Sequence, residues 1–195
     1  MKALEEKIIK EGKVFDGGVL KVDGFLNHKM DVEFLREVGN EFYRIFKEEN
    51  ITKILTVEAS GIGIACITAL CFEPVVPVVF AKKSMSSNIA NEVYSSTVVS
   101  FTRGKKYDII VSKEHLSADD RILIIDDFLA KGSALTSLLD VCHQAGAHVC
   151  GAGIVIEKVY QGGGELVKRT GLRVESLAKI LEMDTEKGIE GIVFE

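Results

Sequence analysis

The residues best suited to chemistry in this chain are Asp126 and Asp127, followed closely by Gly132 and Ser133. Adjacent carboxylates are acceptors that match the vicinal hydroxyls of a sugar. A small-residue loop entering a helix offers unpaired backbone N–H groups and the positive end of the helix dipole, which together bind phosphate. Gly132 lets the backbone approach such a group closely, and Ser133 adds a hydroxyl. A sugar phosphate satisfies both halves at once. An Asp-Asp pair can also do no more than cap a turn. The aliphatic run before it and the Gly-Ser helix entry after it favour the ligand.

Two further groups carry the same kind of choice. Glu58-Ala59-Ser60-Gly61 is either a plain turn or a second small, hydroxyl-bearing loop that holds phosphate through backbone amides. Lys82 and Lys83 are either solvated surface or cations that neutralise an anion when the polar stretch after them closes.

These residues need elements to position them. Ile122 to Ile125 is a short, β-branched aliphatic run that reads as a buried parallel strand ending at the Asp pair. From Ser133 the spacing of Leu135, Leu138, Leu139 and Cys142 is helical. Ile51 to Val57 predicts another buried strand, stopping at Glu58, with a small-residue helix from Ile62. Val75 to Phe80 predicts a third, entered through Pro74 and Pro77 and ending at Lys82-Lys83-Ser84, and Val149 to Ile156 predicts a fourth, closed by Glu157-Lys158. Met1 to Lys10 predicts a short helix, Asp31 opens a helix with Phe34, Leu35, Val38, Phe42, Ile45 and Phe46 on one face, and Glu165 to Arg169 predicts a short one. Tyr94 to Thr102 and Tyr107 to Val111 alternate around Arg103-Gly104-Lys105 as a hairpin, and Arg173 to Ile180 and Gly188 to Phe194 are late strands. Strands alternating with helices throughout predict an α/β chain with a doubly wound, largely parallel sheet. Ligands of such sheets bind beyond the carboxyl ends of the strands, where all of these loops fall.

At Ile122 to Ala134 the chain resembles the type I phosphoribosyltransferases, which bind phosphoribosyl pyrophosphate (PRPP). Within that family, Leu20-Lys21-Val22-Asp23-Gly24-Phe25-Leu26-Asn27-His28, Ser100-Phe101-Thr102 and Ile154-Val155-Ile156-Glu157-Lys158 resemble the bacterial xanthine-using members. The likeness covers nearly the whole chain. It implies one phosphoribosyltransferase domain over residues 1–195, with a small hood over the base site from about residues 1–30 and the C-terminal segment.

The resemblance also implies roles. Asp126 and Asp127 hold the ribose hydroxyls, and Ala130, Lys131, Gly132, Ser133 and Ala134 hold the 5-phosphate. Ala59, Ser60 and Gly61 cradle the pyrophosphate, helped by Lys82 and Lys83 at the start of a mobile cover. Leu20, Asn27 and Lys158 meet the base; an ammonium suits the oxo oxygen of xanthine, guanine or hypoxanthine rather than the 6-amino group of adenine. Magnesium arrives with PRPP, no protein metal site is expected, and the implied product of xanthine is XMP. A homodimer is the common assembly. Lys131 departs from the small or neutral residue expected in its loop, and Gly162-Gly163-Gly164 suggests a loose loop after Lys158.

Bulk properties narrow the alternatives. The 195 residues suffice for one α/β domain, and 47% hydrophobic with 27% charged residues is a folded composition. A net charge of −5 without a dense basic run gives no nucleic-acid footprint. No apolar stretch of about 20 residues is present to span a bilayer, and the charged N-terminus lacks a secretory h-region. Cys66, Cys71, Cys142 and Cys150 show no C-x-x-C spacing, so reduced thiols in a cytoplasmic protein are expected. Rossmann and Walker phosphate loops and a serine nucleophile elbow are absent. Other purine phosphoribosyltransferases, a non-catalytic PRPP-binding regulator and a sugar-phosphate isomerase stand as alternatives.

Overall fold

A computed structural model of the chain describes residues 1–83, 92–100 and 105–195. Residues 84–91 of the expected cover, and Phe101, Thr102, Arg103 and Gly104 around the expected hairpin turn, lie outside the described residues.

The chain begins with helix α1 (Lys2–Glu11), which buries Leu4 and Ile8 one turn apart. Strands β1 (Lys13–Phe15) and β2 (Val19–Lys21) then pair antiparallel. Gly17 and Gly18 make the turn with φ of 76° and 74°, a region that costs other residues strain. A π-helical turn, Asp23–Asn27, leads to α2 (Val32–Phe46). Asp31 caps α2 by accepting from Phe34 N at 3.2 Å, and its carboxylate also takes Lys7 Nζ at 2.8 Å.

The alternating units follow: β3 (Lys53–Val57), α3 (Ser60–Ala69), β4 (Val78–Ala81), the antiparallel pair β5 (Val93–Ser100) and β6 (Lys105–Ser112), β7 (Arg121–Leu129), α4 (Ser133–Ala145), β8 (His148–Lys158), α5 (Gly163–Lys168), β9 (Val174–Met183) and β10 (Ile192–Phe194). The central sheet has the order β10-β9-β8-β7-β3-β4. Every pair in it is parallel except β10 on β9, so the expected doubly wound, largely parallel sheet is what forms.

Successive strand residues point to opposite faces, and the two faces carry separate cores. Leu123 and Ile125 join α1, α2 and α3 on one side, whereas Ile122 and Ile124 join α4 and the β5–β6 pair on the other. This double burial is why the strand reads as an unbroken aliphatic run. Close helix packing also requires Gly153, where a Cβ would lie 2.7 Å from Phe42 Cδ1 and 2.8 Å from Ile125 Cδ1.

Several element boundaries differ from expectation, and those nearest the acidic pair matter most. β7 does not stop at Ile125: its ladder with β8 continues through Asp126↔Ile154 to Leu129↔Glu157, while its pairing with β3 ends at Leu55↔Ile124. The acidic pair therefore lies past the last β3 pairing, on a stretch of β7 laddered to β8. β8 likewise runs through Glu157-Lys158, because β9 pairs with it as far as Lys158↔Ile180. Gly162-Gly163-Gly164 is not loose. Gly162 turns the chain at φ 77°, and buried Gly163 and Gly164 open α5.

Candidate active site

Past its last pairing with β3, β7 carries Asp126 and Asp127 beside the start of α3. Asp126 is 6% exposed, and its Oδ1 accepts from Asp127 N at 3.0 Å. Asp127 is half-buried and accepts Asn27 Nδ2 at 2.8 Å, so the N-terminal segment reaches the acidic pair. Burial first, and then the Asp127 carboxylate, push the Asp126 carboxyl well above the usual carboxylate range, against the opposing pull of the Asp127 N–H and Lys83.

The Ala59–Gly61 segment sits directly against this pair. α3 starts at Ser60, earlier than the expected Ile62, so Ser60 and Gly61 form its first turn rather than a loop. A Cβ on Gly61 would fall 2.0 Å from Thr56 Oγ1 and 3.4 Å from Asp126 Oδ1, so this turn abuts both strand ends. The Glu58–Ala59 peptide bond is cis. Glu58 accepts Lys83 N, which ties the end of β4 to the end of β3. Both Lys82 and Lys83 side chains are exposed; Lys82 exchanges backbone hydrogen bonds of 2.9 Å with Ile110, and Lys83 Nζ lies 5.5 Å from the Tyr107 ring centre.

Between β7 and α4, Phe128 to Leu135 line a cavity of about 110 Å³. Ala130, Lys131 and Gly132 form its loop and Ser133 and Ala134 the first turn of α4, where the N–H groups have no helical partner. Gly132 takes φ 82°, and its carbonyl accepts Thr136 N and Thr136 Oγ1, both at 2.9 Å. Lys131 is exposed on the loop.

On the other side of β7, Lys158 is 9% exposed. Its Nζ donates to Gly18 O at 2.7 Å and lies 5.6 Å from the Phe128 ring centre. Burial lowers the Lys158 ammonium below the ordinary lysine value. Leu20, 6% exposed, packs into the core on the face that holds α1. β1 meets the C-terminal turn Gly188–Gly191, so both ends of the chain lie over this side.

The expected residues thus gather in two lobes joined by β7. Asp126, Asp127, Asn27 and Gly61 form one contiguous patch, with Ala130–Ala134 continuing β7 beyond it. Lys158 joins through Phe128, which sequence reasoning did not select although it directly follows the acidic pair. Leu20 is buried on the same side as Lys158, and Lys82 stands apart, drawn towards β6. Among the described residues, no three His, Cys, Asp or Glu side chains gather as a metal cage.

The electrostatics of Asp126 make a stability prediction. A carboxyl whose pKa rises on folding contributes stability at low pH that is lost as pH climbs from its unfolded value, about 4, towards the folded one. Asp126→Asn, which keeps the acceptor but cannot ionise, is expected to raise Tm at pH 7 by about 2–4 °C, the shift that ~1 kcal/mol produces in a chain of this size. The gain should shrink as pH falls to about 4. A lower Tm for the variant at pH 7 in thermal melts would show that Asp126 ionises without penalty.

Comparison with known proteins agrees with this architecture. Residues 31–178 match the phosphoribosyl transferase domain family. The chain is 56% identical over 188 residues to a xanthine phosphoribosyltransferase of Lachnoclostridium phytofermentans, covering 96% of each chain. A xanthine phosphoribosyltransferase of Bifidobacterium adolescentis is 52% identical, with 96% of this chain and 97% of that one covered. In fold, the adenine phosphoribosyltransferase of Rhodothermus marinus superposes with a TM-score of 0.73 at 20% identity, over 92% of this chain and 99% of the other. With the doubly wound sheet, the acidic pair on its central strand and the cavity at the start of α4, the chain belongs to the phosphoribosyltransferase family.

Proposed function

We propose that this protein is a xanthine phosphoribosyltransferase of purine salvage, converting xanthine and PRPP to XMP and pyrophosphate. The single observation that carries the choice of base is 56% identity to a xanthine phosphoribosyltransferase along 96% of the chain. Buried Lys158 supports it chemically. Xanthine is more acidic than guanine or hypoxanthine, and an anionic base would offset the desolvation that lowers the lysine. One Nζ hydrogen goes to Gly18 O and others remain for an oxo oxygen of the base.

In this reading the 5-phosphate occupies the cavity formed by Ala130, Lys131, Gly132, Ser133 and Ala134. Asp126 and Asp127 take the ribose O2 and O3 hydroxyls. Ala59, Ser60 and Gly61 hold the pyrophosphate at the start of α3, and Lys82 and Lys83 lend it positive charge. Leu20 supplies apolar contact to the base, and Asn27 stands between the base and Asp127. Residues 1–30 and the C-terminal segment form the hood, within a phosphoribosyltransferase domain spanning the chain.

The reaction breaks the C1–O bond to pyrophosphate and forms a C1–N9 bond to the purine through an oxocarbenium-like state. The departing oxygen keeps the bonding electron pair, N9 supplies the new one, and the imidazole N–H proton of the purine is released with the pyrophosphate. No protein nucleophile is required; the side chains position the reactants and stabilise charge. Magnesium enters as part of the magnesium–PRPP substrate and offsets the charge of the leaving group.

We also propose a cytoplasmic homodimer. All four cysteines are free, which suits a reducing compartment, and no helix among the described residues is long and apolar enough to cross a membrane. Val32 and Leu70, 63% and 70% exposed, flank a groove of about 500 Å³ between α2 and α3 that supplies apolar surface for a second copy.

Pyrophosphate release from PRPP and magnesium, with xanthine, guanine, hypoxanthine and adenine side by side, tests the function. Xanthine should be preferred, and preference for another purine would discard the base assignment. Lys158→Ala should raise KM for xanthine far more than KM for PRPP, and equal losses would make the lysine structural. EDTA should abolish turnover and added magnesium restore it; activity persisting in chelator would refute the magnesium–PRPP substrate. Sedimentation equilibrium should give twice the 21.3 kDa chain mass, and a monomer mass at micromolar protein would remove the dimer.

A further inference from the structure

We infer that the start of α5 is a buttress for the phosphate loop, with Gly163 as its positioning residue. The inference rests on the phosphoribosyl reading of the Ala130–Ala134 cavity and adds a part of the machinery outside it.

Gly163 N donates to Ala130 O at 3.0 Å. A Cβ on Gly163 would lie 2.3 Å from Ala130 O, 2.5 Å from Gly132 N and 2.7 Å from Lys131 C. These are backbone atoms of the loop itself, so no side-chain rotation could relieve the overlap. The contact is reciprocal: a Cβ on Gly132 would lie 3.1 Å from Gly163 O and 3.3 Å from Val167 Cγ2. Two backbones therefore lie against one another where each is glycine, and the loop conformation is set from outside.

The buttress is itself held from behind. A Cβ on Gly164 would fall 1.9 Å from Glu157 Oε1. Glu157 is 4% exposed, and its Oε2 accepts Ser176 Oγ from β9. Glu157 pairs in register with Leu129, the last residue of β7 before the loop. The first turn of α5 is thus wedged between the phosphate loop and a buried carboxylate on β8. That wedge explains the glycine pair: Gly163 and Gly164 are required by close approach. Gly162 is required for a different reason, its φ of 77°, and has nothing within 4 Å of a built Cβ.

The difference between these neighbouring glycines gives the test. Ribose 5-phosphate binding is measured calorimetrically on the full chain, together with KM for PRPP and for xanthine and with Tm. Wild type should bind ribose 5-phosphate; if it does not, the phosphoribosyl reading fails and the buttress with it. Gly162→Ala should lower Tm through backbone strain yet keep wild-type affinity. Gly163→Ala should weaken ribose 5-phosphate and raise KM for PRPP by about tenfold or more, since misplacement of about 1 Å can cost ~10²-fold, while KM for xanthine at saturating PRPP moves less than about twofold. Wild-type affinity in Gly163→Ala, or the same affinity loss in both glycine variants, would overturn the inference. Should Gly163→Ala not fold, Val167→Ala removes the packing behind Gly132 without overlap. It should weaken ribose 5-phosphate several-fold, and unchanged affinity would equally overturn the proposal.

Discussion

Keeping a carboxyl group at 6% exposure next to a second one is costly, and the site is arranged around that cost. Asp126 is buried because β7 is the inner strand of a sheet covered on both faces, and it cannot be swung out without breaking the ladder to β8. Its compensation is meagre: the N–H of Asp127, and the charge of Lys83 from the end of β4. A sugar hydroxyl can donate or accept, so it can pair with such a group in either protonation state. A simple cap on a turn would need no such burial, which supports the ligand role proposed for the pair.

Close approach is the second constraint. Gly61 brings α3 against Thr56 and Asp126, and Gly132 and Gly163 bring two backbones together behind the cavity at the start of α4. In each case the absent side chain lets backbone approach its neighbour more closely than any other residue would allow. The apolar layers hold these approaches fixed: Leu123 and Ile125 on one face and Ile122 and Ile124 on the other lock β7 between two cores.

Much of this was legible beforehand because it rests on local pattern. The run Ile122–Ile125, the acidic pair and the Gly132-Ser133 helix entry are contiguous in sequence, so strand, site and helix could be read together. The helix from Asp31 was equally plain, since its aromatic and aliphatic residues recur on one face. What escaped depends on partners distant in the chain. The continuation of β7 through Asp126 follows from its ladder with β8, and the contact of Lys158 with Gly18 spans 140 positions. Triple glycine reads locally as freedom. Only the Ala130–Gly132 backbone packed against Gly163, and Glu157 against Gly164, show that two of the three are confined. Phe128 was overlooked because an aromatic after an acidic pair has no periodic signature of its own.

The sheet also ends in a particular way. Its edge strands, β4 and β10, contain only 4 and 3 residues. Pro77 stands immediately before β4 and cannot donate a ladder hydrogen bond, and beyond β4 the backbone of Lys82 is already paired with Ile110. An open edge is where one chain can add to another strand by strand. In the central sheet the long aliphatic strands, β7 and β8, are interior and the edges are short, so that sheet leaves little unpaired backbone to seed intermolecular β-pairing. In a chain with 47% hydrophobic residues, the strand order thus keeps the most aliphatic strands of the central sheet away from its edges.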